Sequence, residues 1–243
     1  MDYTSNLEKY SYKELKNMAE RMEIPIRRSK EGIISEINLS FKEYYKYKKD
    51  KLQKYSRGVQ LGKNGKEGIT YLVTDKKGNE FAMKTFKKSK SSKTLQKEAK
   101  LQKTASDHGI APNVIDIDTV SKYIVMDKMD KHLFEVLKER HLSATIQKDI
   151  INIYKKLDKA GVFHGDVNIA NFMYKDDKLC IIDFGMAKEI TKNLVDNLGN
   201  TPNLTVMTLG LILKLKELNF DNYSYKYLKK YISQEQCIKF NIE

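Results

Sequence analysis

The octapeptide His164-Gly165-Asp166-Val167-Asn168-Ile169-Ala170-Asn171, followed by Ile181-Ile182-Asp183-Phe184-Gly185, constrains this chain more than any other stretch. Asp166 and Asn171 stand five apart in a loop-like segment, and Asp183 follows twelve residues later, just after an apolar strand-like run. Each alone could be a turn former, the usual role of Asp and Asn in loops. In this order and spacing, their oxygens can converge on a nucleotide-bound divalent cation and an acceptor hydroxyl. The fold must then bring one loop and one strand end together.

Two upstream features fit that requirement. Gly62-Lys63-Asn64-Gly65-Lys66-Glu67-Gly68 precedes a strand, and glycines there let backbone N–H groups approach phosphate oxygens without a Cβ in the way. A plain glycine turn between strands is the competing reading. Phe81-Ala82-Met83-Lys84 puts a lysine in an otherwise apolar strand, where its ammonium needs an anionic partner because burying an unpaired charge is costly. Glu98, fourteen residues on in a helical pattern, can supply it.

Composition sets the outer limits. A chain of 243 residues accommodates one sizeable domain and a small one, and 40% hydrophobic residues with three prolines is the composition of a globular protein. The longest apolar run, Leu209 to Leu213, is far below the ~20 residues of a membrane span, so no membrane role is expected. Cys180 and Cys237 form neither a metal-ligand pattern nor a disulfide framework, which points to a reducing, intracellular setting, cytoplasm or nucleus. The net charge of +13 favours polyanionic partners, or simply reflects lysine-rich solubility.

Periodicity divides the chain. Residues 10–39 read as two short helices, with Leu15, Met18, Ala19 and Met22 at helical spacing, a break at Ile24-Pro25-Ile26, and then Ile33, Ile34 and Ile37 behind a Ser29 N-cap. Residues 40–57 read as a helical lysine and tyrosine linker. From Val59 short β-like runs take over, with a hairpin at 68–86, a helix at 94–108 and strands at 114–117 and 123–126. Helical patterns then dominate at 131–139, 143–160 and 203–219, with a strand pair on either side of Asp176-Asp177. The expectation is an α+β, two-lobed domain at 58–243, with lobes at 58–127 and 128–243, behind a module at 1–40 and a linker at 41–57.

Residues 58–219 resemble the eukaryotic-type protein kinase fold, motif by motif. The resemblance implies ATP and Mg²⁺ as cofactors, with Gly62, Gly65 and Gly68 in the glycine-rich loop, Ala82 in the nucleotide pocket and Lys84 as the phosphate-binding lysine paired with Glu98. Met126 matches the gatekeeper, and the backbone of Asp127 to Met129 matches the hinge that faces adenine. Asp166 matches the catalytic aspartate, Asn171 the second metal ligand and Asp183 the metal-binding aspartate.

Several positions depart from the pattern. Gly62 and Gly65 are three apart where two is usual, Gly165 replaces the common arginine, and Asn168 replaces a lysine. Without that arginine, control by an activation-loop phosphate loses its usual receptor, so constitutive or partner-controlled activity is expected. No Ala-Pro-Glu follows Asp183, and the helix at Leu204–Leu213 lacks the aspartate normally near its start. The reduced C-lobe resembles compact kinases of bacterial effectors and large DNA viruses, which would place the chain in a host cell or viral factory. It also resembles the kinase-like ATPase of the KEOPS complex, which has a similar His-Gly-Asp motif.

Residues 10–37 resemble a SAP-type helix-extended-helix module, a type that usually binds DNA. Arg27, Arg28 and Lys30 cluster where the second helix begins and could meet a phosphate. The competing reading is a helical pair that packs on the kinase lobe or holds a regulatory protein. The functional expectation is a serine/threonine protein kinase acting on a protein substrate and localised to DNA through residues 1–57. The alternatives are a nucleotide-binding pseudokinase or scaffold, a KEOPS-like kinase or ATPase, and a small-molecule kinase.

Overall fold

The computed structural model describes residues 7–52, 54–62, 64–65, 67–139, 142–218 and 225–242. Lys63 and Lys66 of the glycine turn lie outside them. The chain divides into two compact units, Met1–Ser56 and Arg57–Glu243.

In the first unit, helices α1 (Tyr12–Arg21) and α2 (Lys30–Leu52) bury Leu15, Ala19, Ile33 and Ile37 together with Leu7. Ser11 caps α1 in a capping box with Glu14. Ser29 Oγ accepts from Gly32 N at 3.0 Å at the start of α2, the N-cap read from the sequence. Helix α2 continues through residue 40, so the expected end of the module falls inside one helix. The helix stops at Leu52, and residues 55–57, expected to be helical, begin a strand. Gly58 explains the local choice: a Cβ there would sit 3.3 Å from Leu72 O, so glycine lets this strand lie close to its neighbour.

The second unit opens with a five-stranded sheet of β1 (Tyr55–Leu61), β2 (Gly68–Asp75), β3 (Glu80–Phe86), β4 (Val114–Asp118) and β5 (Tyr123–Asp127), ordered β1-β2-β3-β5-β4. The β2/β3 turn is closed by Asp75, whose carboxylate accepts from Lys77 N, Asn79 N and Asn79 Nδ2. Helix α3 (Ser92–Asp107), capped by Ser91, turns Leu95, Glu98, Ala99 and Gln102 inward on one face. Glu98 is the only carboxylate on that face.

The remaining elements form a mainly helical lobe: β6 (Lys131–His132), α4 (Leu133–Glu139), α5 (Ala144–Lys159), β7 (Val162–Phe163), β8 (Phe172–Lys175), β9 (Lys178–Ile181), β10 (Lys188–Glu189), α6 (Lys192–Leu198), a π-helical stretch (Asn203–Met207), α7 (Thr208–Glu217) and α8 (Gln234–Lys239). Helix α5 lies at its centre, its Ile150, Tyr154 and Leu157 buried in a core with Phe172, Ile181, Phe184, Leu211 and Leu215. The strands β8 and β9 pair in register Met173 to Cys180 and Tyr174 to Leu179, which sets Asn171 before one strand and Asp183 after the other. Among the described residues no helix is long and apolar enough to cross a membrane.

Candidate active site

Lys84 lies in β3, opposite Thr70 of β2 and Ile124 of β5. Its ammonium is 2.8 Å from Glu98 Oε1 and 2.7 Å from Asp183 Oδ1. Three widely separated segments therefore meet at one cation. Burial alone would push the Lys84 ammonium down, but the Glu98 and Asp183 carboxylates outweigh it, and the net shift is upward. Burial likewise pushes Asp183 up, and Lys84 more than reverses this, leaving it below the ordinary carboxylate range. The pair is fully ionised near neutrality.

The loop at 164–171 is built on hydrogen bonds to buried groups. His164 is fully buried, its Nε2 3.0 Å from Ile182 O and its ring edge-on to Phe184, centroids 5.1 Å apart. Burial lowers its pKa, so the ring is neutral at physiological pH and we assign its proton to Nε2, donating to Ile182 O. The Ile182 N–H donates to Asn171 O at 2.8 Å and the Asn171 N–H to Asn168 O at 3.0 Å, tying the loop to the strand that delivers Asp183. Asn171 is buried, and its Nδ2 has no partner among the described residues. Asp183 sits at φ +66°, a left-handed conformation that aspartate tolerates better than most residues.

Two of the sequence departures acquire a physical reason here. Gly165 has φ +79°, and a Cβ there would stand 3.0 Å from Met186 O, so this backbone is strained for the family's arginine as for any side chain. The Asn168 side chain accepts from Ala170 N at 3.0 Å and caps the short turn leading to Asn171. It is committed to the loop itself.

A third departure is compensated. Buried Asn203 accepts from His164 N through Oδ1 at 3.0 Å and donates through Nδ2 to Val162 O at 2.8 Å and to Asp158 Oδ1 at 2.7 Å. It thus ties the loop to the start of the helix that lacks the family's aspartate. Asp158 on α5 also accepts from Asn203 N and Leu204 N; burial pushes its carboxyl upward despite these bonds. Asn203 escapes sequence reading because its partner lies 39 residues away and the residue type differs from the family's.

On the side expected from the sequence to face a nucleotide, Ala82 and Met126 are direct cross-strand partners, and Met126 Sδ lies 3.5 Å from Gln102 Nε2. Asp127 donates its N–H to Asn113 O at 3.0 Å, and its carboxylate holds Asn113 Nδ2 and Lys175, so its side chain is structural. Met129 lies in the short connection between β5 and β6. In the glycine turn, Gly62 takes φ +73°, Gly65 N donates to Gly68 O at 2.9 Å, and a Cβ on Gly68 would meet Thr85 O at 2.0 Å. Only glycine fits at residue 68. Two charged residues not expected from the sequence to act also belong here: Glu67 in the glycine turn and Lys90 after β3, which pair with each other at 2.6 Å.

The basic residues of the first unit are only partly free. Arg27 Nε donates to Glu36 Oε1 at 2.7 Å and Lys30 Nζ to Glu8 O at 2.6 Å, both within the first unit, while Arg28 is exposed.

Comparison with known proteins agrees with this geometry. The family model described as protein kinase domain matches residues 55–205. Calcium-dependent protein kinase 7 of Arabidopsis thaliana is 30% identical over 154 residues, 55% of this chain and 28% of its own length. The probable serine/threonine-protein kinase YbdM of Bacillus subtilis is 29% identical over 146 residues, 54% of this chain and 56% of its own. The KEOPS complex subunit Bud32 of Pyrococcus abyssi is 29% identical over 96 residues, 38% of this chain and 44% of its own. The matched stretches thus span roughly a quarter to just over half of these relatives.

Proposed function

The chain belongs to the protein kinase domain family, and on that premise we propose that it transfers the γ-phosphoryl group of Mg-ATP to a serine or threonine hydroxyl of a protein. The observation that carries this reading is the placement of Lys84 between Glu98 and Asp183, because the cation is held by one carboxylate in the small lobe and one beside the acceptor loop. Phosphoryl transfer asks for positioned charge more than for covalent chemistry, and this site is built from positioned charge.

The donor set fits a hard cation. Lys84 and Gly185 both use Asp183 Oδ1, leaving Oδ2 without a partner among the described residues. Asn171 and Asp183 would hold magnesium, which supplies neutralisation of phosphate charge when bound. Lys84 would meet the phosphate oxygens. Asp166, in the loop fixed by His164 and Asn203, would accept the proton of the attacking hydroxyl. The new O–P bond then forms as the β,γ-bridging O–P bond breaks and ADP leaves.

The test is incubation of the full chain with labelled ATP, Mg²⁺ and generic protein acceptors, beside Asp166→Ala. Label should appear on serine or threonine and fall by roughly 10²-fold or more in the variant, the loss expected of a missing general base. Label transfer that survives the substitution would contradict the role of Asp166. One observation favours a second reading: the His164-Gly165-Asp166 backbone, strained for an arginine at its centre, accompanies similarity to a KEOPS subunit. That reading, an ATPase acting within a complex, requires ATP hydrolysis with no label on any acceptor.

A further inference from the structure

Lys90 lies in the connection between β3 and α3, in the run Lys87-Lys88-Ser89-Lys90-Ser91-Ser92-Lys93. Its side chain is only 7% exposed. The ammonium stands 2.5 Å from Glu98 Oε2, 2.6 Å from Glu67 Oε2 and 4.4 Å from the centre of the Phe86 ring. Glu98 therefore divides its carboxylate: Oε1 holds Lys84 and Oε2 holds Lys90.

Glu67 is the other end of this chain of charges. Its carbonyl accepts from Lys87 N at 3.0 Å, and its carboxylate occupies the space a side chain on Gly185 would need, 2.6 Å from the position of a Cβ there. The glycine turn thus rests, through one carboxylate, on the backbone immediately after Asp183. Carboxylate oxygens of Glu67, Glu98 and Asp183 lie within 4.8 Å of one another. Three anions are gathered around two cations, Lys84 and Lys90, and Lys90 is the cation that Glu67 touches. Without Lys90 the mutual repulsion of these carboxylates would drive Glu67, the most exposed of the paired groups around Lys90, off Gly185.

We propose that Lys90 is a positioning residue that holds the glycine turn down over the nucleotide by pairing with Glu67, with Glu98 as the shared anchor, so that closure of the turn and placement of Lys84 form one coupled arrangement. The proposal rests on the reading of the cleft as a Mg-ATP site. It gives Gly185 a specific reason to be glycine, since any side chain would displace Glu67.

The experiment measures MgATP affinity, and KM for ATP where turnover is seen, for the full chain and for Lys90→Met, Lys90→Arg, Glu67→Ala and the double variant Lys90→Met/Glu67→Ala. Each single loss should weaken MgATP by on the order of tenfold, the worth of one charge-assisted contact, and raise KM by more than it lowers kcat. The double variant should be no worse than Lys90→Met alone, because both substitutions break one latch, and Lys90→Arg should recover most of the affinity. Glu67→Ala lies at an exposed turn and keeps the test decisive if Lys90→Met unfolds. An affinity that is unchanged or tighter in Glu67→Ala, or strictly additive losses, would overturn the latch. Failure of the wild-type chain to bind MgATP would overturn the site reading and the latch together; wild-type binding with unaffected variants would overturn the latch alone.

Discussion

Asp183→Asn lowers phosphoryl transfer by on the order of 10³-fold or more while costing the fold only the contribution of its half-exposed ion pair with Lys84, because one atom is exchanged in a group proposed to act on nucleotide charge. The stability half of this expectation follows from the ion network. Lys84 keeps Glu98 at 2.8 Å when Asp183 is neutralised, and Glu98 keeps Lys90 at 2.5 Å, so no buried charge is left alone. Steady-state rates beside a melting curve check both halves. The pH dependence follows from the same shifts. Asp183 is lowered, so its contribution to stability is present above its unfolded pKa and is lost as pH falls through the lower folded value. Lys84 is raised, so its contribution is present below its unfolded pKa and is lost as pH rises through the higher folded value. Between about pH 5 and pH 9 the network's contribution is flat.

Asn203→Leu has the largest expected effect on the fold. It strips partners from His164 N, Val162 O and the Asp158 carboxylate in a fully buried place. Unsatisfied buried groups cost about 1–3 kcal/mol each, so a loss of roughly 4 kcal/mol and a fall in Tm of about 10 °C are expected. Turnover should fall as well, since Asp166 stands two residues beyond His164. Asn203→Asp restores the family's residue type but should not rescue stability, because its carboxylate would face Asp158 Oδ1 where an amide now donates at 2.7 Å. Two facing carboxylates raise the folded-state pKa of the pair, so this variant should lose stability as pH rises from about 4 to about 7. Denaturant titrations at those two pH values measure it. Equal stability of Asn203→Asp and wild type at neutral pH would show that Asp158 does not select the amide.

The sequence carried the nucleotide side of this site more fully than its supports. Lys84, Glu98, Asp166, Asn171 and Asp183 could be read because each sits at a motif spacing set by the hairpin, the helix or the β8/β9 turn, and local pattern fixes those elements. Lys90 could not, because it lies in a run of four lysines whose composition does not reveal which one is buried. Glu67 was hidden among turn residues, and its resting place on Gly185 is a contact across 118 residues. The positive φ of Gly165 belongs to the backbone and leaves no mark except the glycine itself. The lysine and tyrosine stretch before residue 58 suits helix and strand alike, and pairing with β2 decided for a strand from Tyr55. Helix α6 buries none of its residues, so no apolar period announced it.

On the proposed reading the cleft is organised for a nucleotide that arrives with a divalent cation, and its acceptor side is supported separately by Asn203 and Asp158. The most direct measurement is a titration of the full chain with ATP, with and without Mg²⁺, beside Asp183→Asn. The account predicts binding that strengthens with Mg²⁺ in the wild type and loses that dependence in the variant. Binding that is equally tight without Mg²⁺, or unchanged by Asp183→Asn, would contradict it.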